Sequence, residues 1–266
     1  RVVLATNVAE TSLTVPGIRY VIDAGTARVK RYSYRNKVEQ LLVEPISQAA
    51  ANQRAGRCGR VAAGVCLRLY DELDFNRRPA FTDPEILRSS LAAVILRMKS
   101  LRLADIEYFP FIDAPSSKAI ADGYAVLQEL GGIDDRQALT PIGKQLAQLP
   151  TDPRLGRMVL AGAQVGCLRE VLTIVSALSV QDPRERPADK TSQADQAHKP
   201  FADEKSEFLS LLKLWGWFDA TRKELSVNKT FAACKAKFLN GVRMREWADV
   251  HAQLLDMARD MRLKFN

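Results

Sequence analysis

The chain has 266 residues and a mass of 29.6 kDa, long enough for about two domains with real hydrophobic cores. Hydrophobic residues make up 47% and charged residues 26%, which excludes fibrous, collagen-like and tail-like readings. Thirty-nine Lys and Arg against 31 Asp and Glu leave a net charge of +8 and a pI near 9.4. An anionic partner is therefore expected, nucleic acid ahead of an acidic membrane surface. The longest apolar stretch, Val171 to Val180 interrupted by Thr173 and Ser176, is about half of the roughly 20 residues that a bilayer span needs. Cys58, Cys66, Cys167 and Cys234 form no C-x-x-C pair, and the two histidines, His198 and His251, are far apart. Zinc, other metal and disulfide frameworks are not expected, and a reduced, cytoplasmic setting is. The first residues, Arg1 followed directly by the β-type run Val2-Val3-Leu4-Ala5-Thr6, suggest a piece of a longer protein.

In chain order, Val2–Thr6 and Arg19–Asp23 read as strands, the second followed by an Ala24-Gly25 turn. Ala27–Tyr32 and Val38–Val43 bracket Ser33–Lys37 as a hairpin with a basic, aromatic tip. Ser47–Arg54 reads as a helix ended by Gly56 and Gly59, and Val65–Tyr70 as a closing strand. From Phe81 the apolar period changes from two to about 3.6. Thr82-Asp83-Pro84-Glu85 looks like a capping box opening a helix that uses Ile86, Leu87, Leu91, Val94, Ile95 and Met98. A second helix follows Ser116 and Ser117, a third opens at Thr140-Pro141, and the short extended stretch Asp134–Leu139 between them suggests a winged-helix-like module. A helix from Asp152-Pro153 and a further apolar segment lead to Val180, after which the stretch from Asp182 to Pro200 reads as a long polar loop. Three more helices are expected around Phe208–Trp215, Phe231–Leu239 and Val250–Met261.

The strongest chemical signal is Gln53-Arg54-Ala55-Gly56-Arg57-Cys58-Gly59-Arg60. Three arginines at a spacing of three, interleaved with glycines, put guanidinium forks beside backbone that a ligand can approach closely, a pattern suited to phosphate oxygens. A basic turn whose glycines cap a helix is the competing reading. The run Ala5–Thr14, A-T-N-V-A-E-T-S-L-T, lies upstream at the end of a strand, where α/β sheets place ligands.

Together with the Y-V-I-D-A-G strand, the E-P-I-S segment and the later T-D-P-E-I-L-R, L-T-P-I-G, S-A-L-S-V-Q-D-P-R-E-R-P and K-F-L-N runs, these motifs resemble the DEAH-box RNA helicases, specifically the bacterial HrpA type, over essentially the whole chain. The resemblance implies an α/β remnant of a RecA-like domain over residues 1–75, a mostly α-helical winged-helix domain over 76–147 and a helical-bundle, or ratchet, domain over 148–266. It implies that Gln53, Arg57 and Arg60 reach nucleotide phosphates across an interdomain cleft as catalytic residues, with Arg54, Gly56 and Ser47 on the nucleotide side. It implies that Thr6 and Asn7 face the RNA backbone or couple it to the nucleotide, and that Tyr34 and Arg35 sit on a hairpin that meets RNA; Arg243 and Arg245 with Lys229, Lys235 and Lys237, interleaved with Phe238 and Trp247, are candidates along an RNA channel. On spacing alone the last group also fits a solvated helix face.

The implied partners are RNA, mainly single-stranded, and the N-terminal RecA-like domain of the same protein, with no membrane; the implied cofactors are ATP and Mg2+. Pro16 stands before Gly17 where eukaryotic relatives carry an aspartate, so the carboxylate that approaches the ribose has no counterpart. No G-x-x-x-x-G-K-[ST] occurs, and Asp71-Glu72-Leu73-Asp74 is not a D-E-A-H, so these residues alone are expected to be inactive in phosphoryl transfer. A non-catalytic RNA-binding module and a helical interaction scaffold are the alternatives.

Overall fold

The computed structural model describes residues 2–12, 15–34 and 37–266. The chain forms two compact units, Arg1–Met98 with Arg102–Val126, and Lys99–Leu101 with Leu127–Asn266.

The first unit begins with a single helical turn, α1 (Val8–Thr11), followed by β1 (Tyr20–Asp23), β2 (Thr26–Ser33), β3 (Val38–Pro45), α2 (Gln48–Gly56), β4 (Val65–Arg68) and α3 (Glu72–Arg77). β1 and β4 pair in parallel from Tyr20↔Val65 to Asp23↔Arg68, and α2 lies in the connection that parallel neighbours require. β2 and β3 form the expected antiparallel hairpin, in register from Thr26↔Pro45 to Ser33↔Val38. Alternation along β1 turns Val21 and Asp23 inward while Tyr20 and Ile22 stay exposed, the pleat's period of two acting on a half-covered sheet. Its helical part, α4 (Ala92–Ser100) and α5 (Ser117–Glu129), buries Leu91, Ile95, Ile120 and Tyr124. Gly123 permits this closeness, because a Cβ there would lie 2.7 Å from Ile95 Cδ1.

Two expectations fail in this unit. Val2–Thr6 is not a strand: Val2 and Leu4 are 90% and 94% exposed, and no described strand lies alongside to take up their backbone groups. The capping box at Thr82 does not open a helix either. The Thr82 hydroxyl is engaged with Ser47 Oγ at 3.0 Å, so only a 3-10 turn forms at Glu85–Leu87 and α4 starts at Ala92.

The second unit is helical: α6 (Pro141–Leu146), α7 (Pro153–Val165), α8 (Leu168–Leu178), α9 (Thr191–His198), α10 (Glu207–Glu224), α11 (Val227–Ala236) and α12 (Gly241–Asp260). Asp152 caps α7 through Arg154 N at 2.8 Å with Pro153 in the first turn, and Gly166 ends it at φ +76. α8 is the central helix, packed by α7, α10 and α12 and burying Leu168, Leu172 and Val175 completely. Between α5 and α6, Ile133 and Leu139 bridge antiparallel around a turn held by Asp134 Oδ1, which accepts from Arg136 N and Ala138 N at 2.9 Å.

The long loop expected from Asp182 to Pro200 is a correction. Its first part pairs with another segment, Glu185 N donating to Phe238 O and Asn240 N to Pro183 O, both at 2.8 Å, and residues 191–198 form α9. The polar composition concealed α9 because it buries only Ala194 and His198, four residues apart on one face. Among the described residues no helix is long and apolar enough to cross a membrane.

Candidate functional site

The site is built around α2. Ser47 adopts an extended conformation at its N-cap, and its Oγ accepts from Ala50 N at 3.2 Å. The next two amides, Gln48 N and Ala49 N, donate to the carbonyls of Pro79 and Ala80 at 3.0 Å. Ser47 is buried and also bonded to Thr82, so its observed role is that of a cap fastened to the segment leading toward α4.

Farther along α2, the Arg54 guanidinium uses each nitrogen. Nε donates to Glu10 Oε1 at 2.7 Å, Nη1 to Asp23 Oδ1 at 2.7 Å and Nη2 to the Thr26 carbonyl at 3.1 Å. The Asp23 side chain is fully buried and also accepts from Gly25 N and from the Tyr70 hydroxyl, each at 2.9 Å. Burial alone would raise the Asp23 carboxyl, but these donors and the Arg54 charge hold it below its ordinary value. Burial likewise opposes the Arg54 charge, and the two carboxylates outweigh it and raise that pKa. Tyr70 is pushed up to about 12 by burial and by its bond to Asp23. Gly25 is required here: it sits at φ +74, and a Cβ would lie 2.5 Å from the Tyr70 ring and 2.8 Å from Arg78 Nη2. Arg78 completes the wall, stacked 3.9 Å over Tyr70 and donating to the Gly25 carbonyl at 2.7 Å.

Arg57 stands at the C-cap of α2 and donates from Nη2 to the Glu10 carbonyl. Its Nη1 is buried without a hydrogen-bond partner among the described residues. Gln53, Gly56 and Arg60 are exposed, and a Cβ at Gly56 would meet nothing within 4 Å. This end of α2 thus presents an open edge where a ligand could approach the backbone. Thr6 and Asn7 are exposed at the start of α1, Thr6 Oγ1 accepting from Val8 N at 3.4 Å. Asn7 lines a cavity of about 380 Å³ together with Ser47, Arg28, Lys30, Arg31 and Arg88. Arg31 is already committed there, to Glu44 at 2.5 Å and Asp83 at 3.3 Å.

On the hairpin, Tyr34 is half-buried and meets the buried Tyr32 edge-on, with centroids 5.3 Å apart at 87°. Tyr32 N donates to Arg88 O at 2.7 Å, and Lys37 pairs with Asp122. The aromatic pair is therefore packed on its own surroundings; Arg35, named with Tyr34 from the sequence, lies outside the described residues. In the second unit, Arg243 is half-buried and donates to the Asp182 carbonyl at 3.0 Å, while Arg245 on the same helix is exposed. Lys237 lies 5.6 Å from the Phe201 ring centroid and 5.5 Å from that of Trp217, so that cation covers an aromatic surface.

The structure brings Arg54 and Arg57 together with Glu10, Asp23 and Tyr70, three residues given no role from the sequence. Asp23 carried a signal, a carboxylate ending an apolar strand, but its partners are 31 and 47 positions away and spacing does not connect them. No group of three or more His, Cys, Asp or Glu among the described residues could hold a metal ion. A magnesium ion thus finds no such ligand set among the described residues.

Three families match in succession: the helicase conserved C-terminal domain over residues 1–62, the winged-helix helicase associated domain over 125–151 and the ratchet-like helicase associated domain over 152–214. The chain is 56% identical over its whole length to the ATP-dependent RNA helicase HrpA of Escherichia coli and to an HrpA homolog of Haemophilus influenzae, covering 21% of each. It is 40% identical to the human probable ATP-dependent RNA helicase DHX35 over 84% of the chain and 32% of that protein. The chain spans about a fifth of the length of the two bacterial relatives.

Proposed function

We propose that this chain, which belongs to the HrpA-type group of the DEAH-box helicases, works as the downstream part of an ATP-dependent RNA helicase motor. Residues 1–75 act as part of a RecA-like domain, 76–147 as the winged helix and 148–266 as the ratchet domain. Gln53, Arg57 and Arg60 reach the phosphates of an ATP held chiefly by a partner RecA-like domain of the same protein, with Gly56 giving close access and Ser47 fixing the helix. There the arginines neutralise charge developing on the transferred phosphoryl group. Magnesium, which would neutralise charge on the phosphates, would be held mainly by the partner RecA-like domain. Thr6, Asn7, Tyr34, Arg35, Arg243 and Arg245 meet RNA, mainly single-stranded and through its backbone, so movement tolerates sequence. The cytoplasm is the setting.

The observation that carries this reading is Arg57 beside the exposed Gln53, Gly56 and Arg60. A guanidinium nitrogen buried without an acceptor is costly, and a phosphate oxygen is the acceptor that its fork fits. The test is fluorescence anisotropy of a labelled single-stranded RNA titrated with the full-length protein over a salt series, beside an Arg57→Ala, Arg60→Ala double variant. Affinity that falls linearly in log salt and is little changed in the double variant supports the assignment. Absence of RNA binding at low salt refutes it in favour of an interaction scaffold.

A further inference from the structure

The second unit contains a cavity of about 590 Å³ that the proposed function leaves unused, a volume within the range of small-molecule sites. Phe201 and Leu214 give it an apolar wall. Apart from Lys199, its ionic side chains are already paired: Arg184 with Asp182 at 2.7 Å and Glu207 at 2.5 Å, Arg186 with Asp195 at 2.8 Å, and Asp203 with Lys213 at 2.9 Å. Charges balanced in this way exert little net pull on an ion and suit a neutral, hydroxyl-bearing group. His198, also in the wall, supplies the unfilled position. It is 7% exposed, and its Nε2 lies 3.1 Å from the Phe238 carbonyl, which can only accept, so Nε2 carries the proton. In the neutral ring Nδ1 is then an acceptor, and it is buried without a hydrogen-bond partner among the described residues. An unmet buried acceptor is costly, and a donor is what it lacks. The cavity also adjoins residues named for RNA: Lys237 lies over the Phe201 ring, and Arg243 donates to the carbonyl of Asp182, the partner of Arg184.

We infer that this cavity is a ribose site, in which His198 Nδ1 accepts the 2′-hydroxyl of one nucleotide of the bound strand and so distinguishes RNA from DNA. The inference rests on the proposed function, which supplies the strand. Within a strand the 3′ and 5′ oxygens are esterified, so the 2′-hydroxyl is the donor that the sugar retains. Phe201 and Leu214 meet the carbon face of the sugar. Lys199, exposed beside His198 and given no ion pair among the described residues, meets a flanking phosphate.

The test measures, by fluorescence anisotropy, the affinity of the full-length protein for a single-stranded RNA, its 2′-O-methyl analogue and the DNA of the same sequence. Wild type, His198→Gln and His198→Asn are compared, with thermal melting of each. Gln keeps an amide donor for the Phe238 carbonyl but no acceptor in the place of Nδ1, whereas Asn keeps an acceptor there. Wild type is expected to bind RNA about fivefold more tightly than either analogue, the worth of one hydrogen bond. His198→Gln is expected to lose that preference by weakening toward RNA alone, melting within about 2 °C of wild type, and His198→Asn to regain most of it. A preference that survives in His198→Gln overturns the inference, as does a wild type that binds all three strands alike; both leave a buried water as the group at Nδ1. Calorimetry with free adenosine separates the sources of the sugar. Adenosine bound by wild type and not by His198→Gln, without any preference among strands, assigns the cavity to a nucleoside and overturns the strand as its occupant. A wild type that binds no RNA at low salt refutes the helicase reading itself, a result distinct from these.

Discussion

Trp247 on α12 offers the most quantitative test of the second unit. It is fully buried, its Nε1 donates to Thr173 O at 3.1 Å and Ser176 Oγ at 3.0 Å, and its ring meets Trp215 with centroids 5.2 Å apart. In Trp247→Phe the Thr173 carbonyl keeps the Ser176 hydroxyl as a donor at 2.9 Å, so no buried acceptor is orphaned. The lost hydrogen bond then costs about 1 kcal/mol rather than a full desolvation penalty. The smaller ring leaves a gap of roughly 40 Å³, worth about 1 kcal/mol at ~24 cal/mol per Å³, with a similar loss of transfer energy. The sum, about 3 kcal/mol, lowers the melting temperature by roughly 6–12 °C for a unit of this size. Trp247→Ala empties the site and costs about 4–5 kcal/mol. Circular dichroism melts of wild type and both variants measure this; a Phe variant melting within about 1 °C of wild type refutes the packing argument.

His251 packs 4.6 Å from Trp215, and burial, followed by the Arg222 charge, holds it below its ordinary value of 6.5 against a smaller opposing effect of Asp219. The unfolded chain therefore binds a proton below pH 6.5 that the folded chain refuses, so stability falls as pH drops from about 7 toward the folded pKa. Urea midpoints measured across that range should decline for wild type and decline less for His251→Phe; equal slopes would sink the assignment. Gly25→Ala combines a left-handed backbone, costing about 1–2 kcal/mol, with a Cβ driven into Tyr70. The expected result is a lower urea midpoint at unchanged slope, and an unchanged midpoint contradicts the reading.

Helices with strong local signals were legible in the sequence. Ser116-Ser117, Thr140-Pro141 and Asp152-Pro153 each announce a start where α5, α6 and α7 begin, because caps and first-turn prolines act within three residues. Elements that depend on a distant partner were not. Val2–Thr6 has strand-forming residues but no neighbour to pair with among the described residues, and Thr82 has capping chemistry that Ser47 diverts. In the site, the Arg and Gly spacing of residues 53–60 pointed to phosphate chemistry without showing which arginine holds the two carboxylates. That division is tertiary: Arg54 alone reaches both Glu10 and Asp23, and nothing in a spacing of three distinguishes it from Arg57 or Arg60.

The most direct test of the central claim is steady-state ATP turnover by the full-length protein carrying Arg57→Ala or Arg60→Ala, at saturating RNA. The account predicts a fall in kcat of about 10³-fold in each, the usual effect of withdrawing an arginine from a transferring phosphoryl group, with RNA affinity unchanged. Turnover equal to wild type in both variants would contradict it.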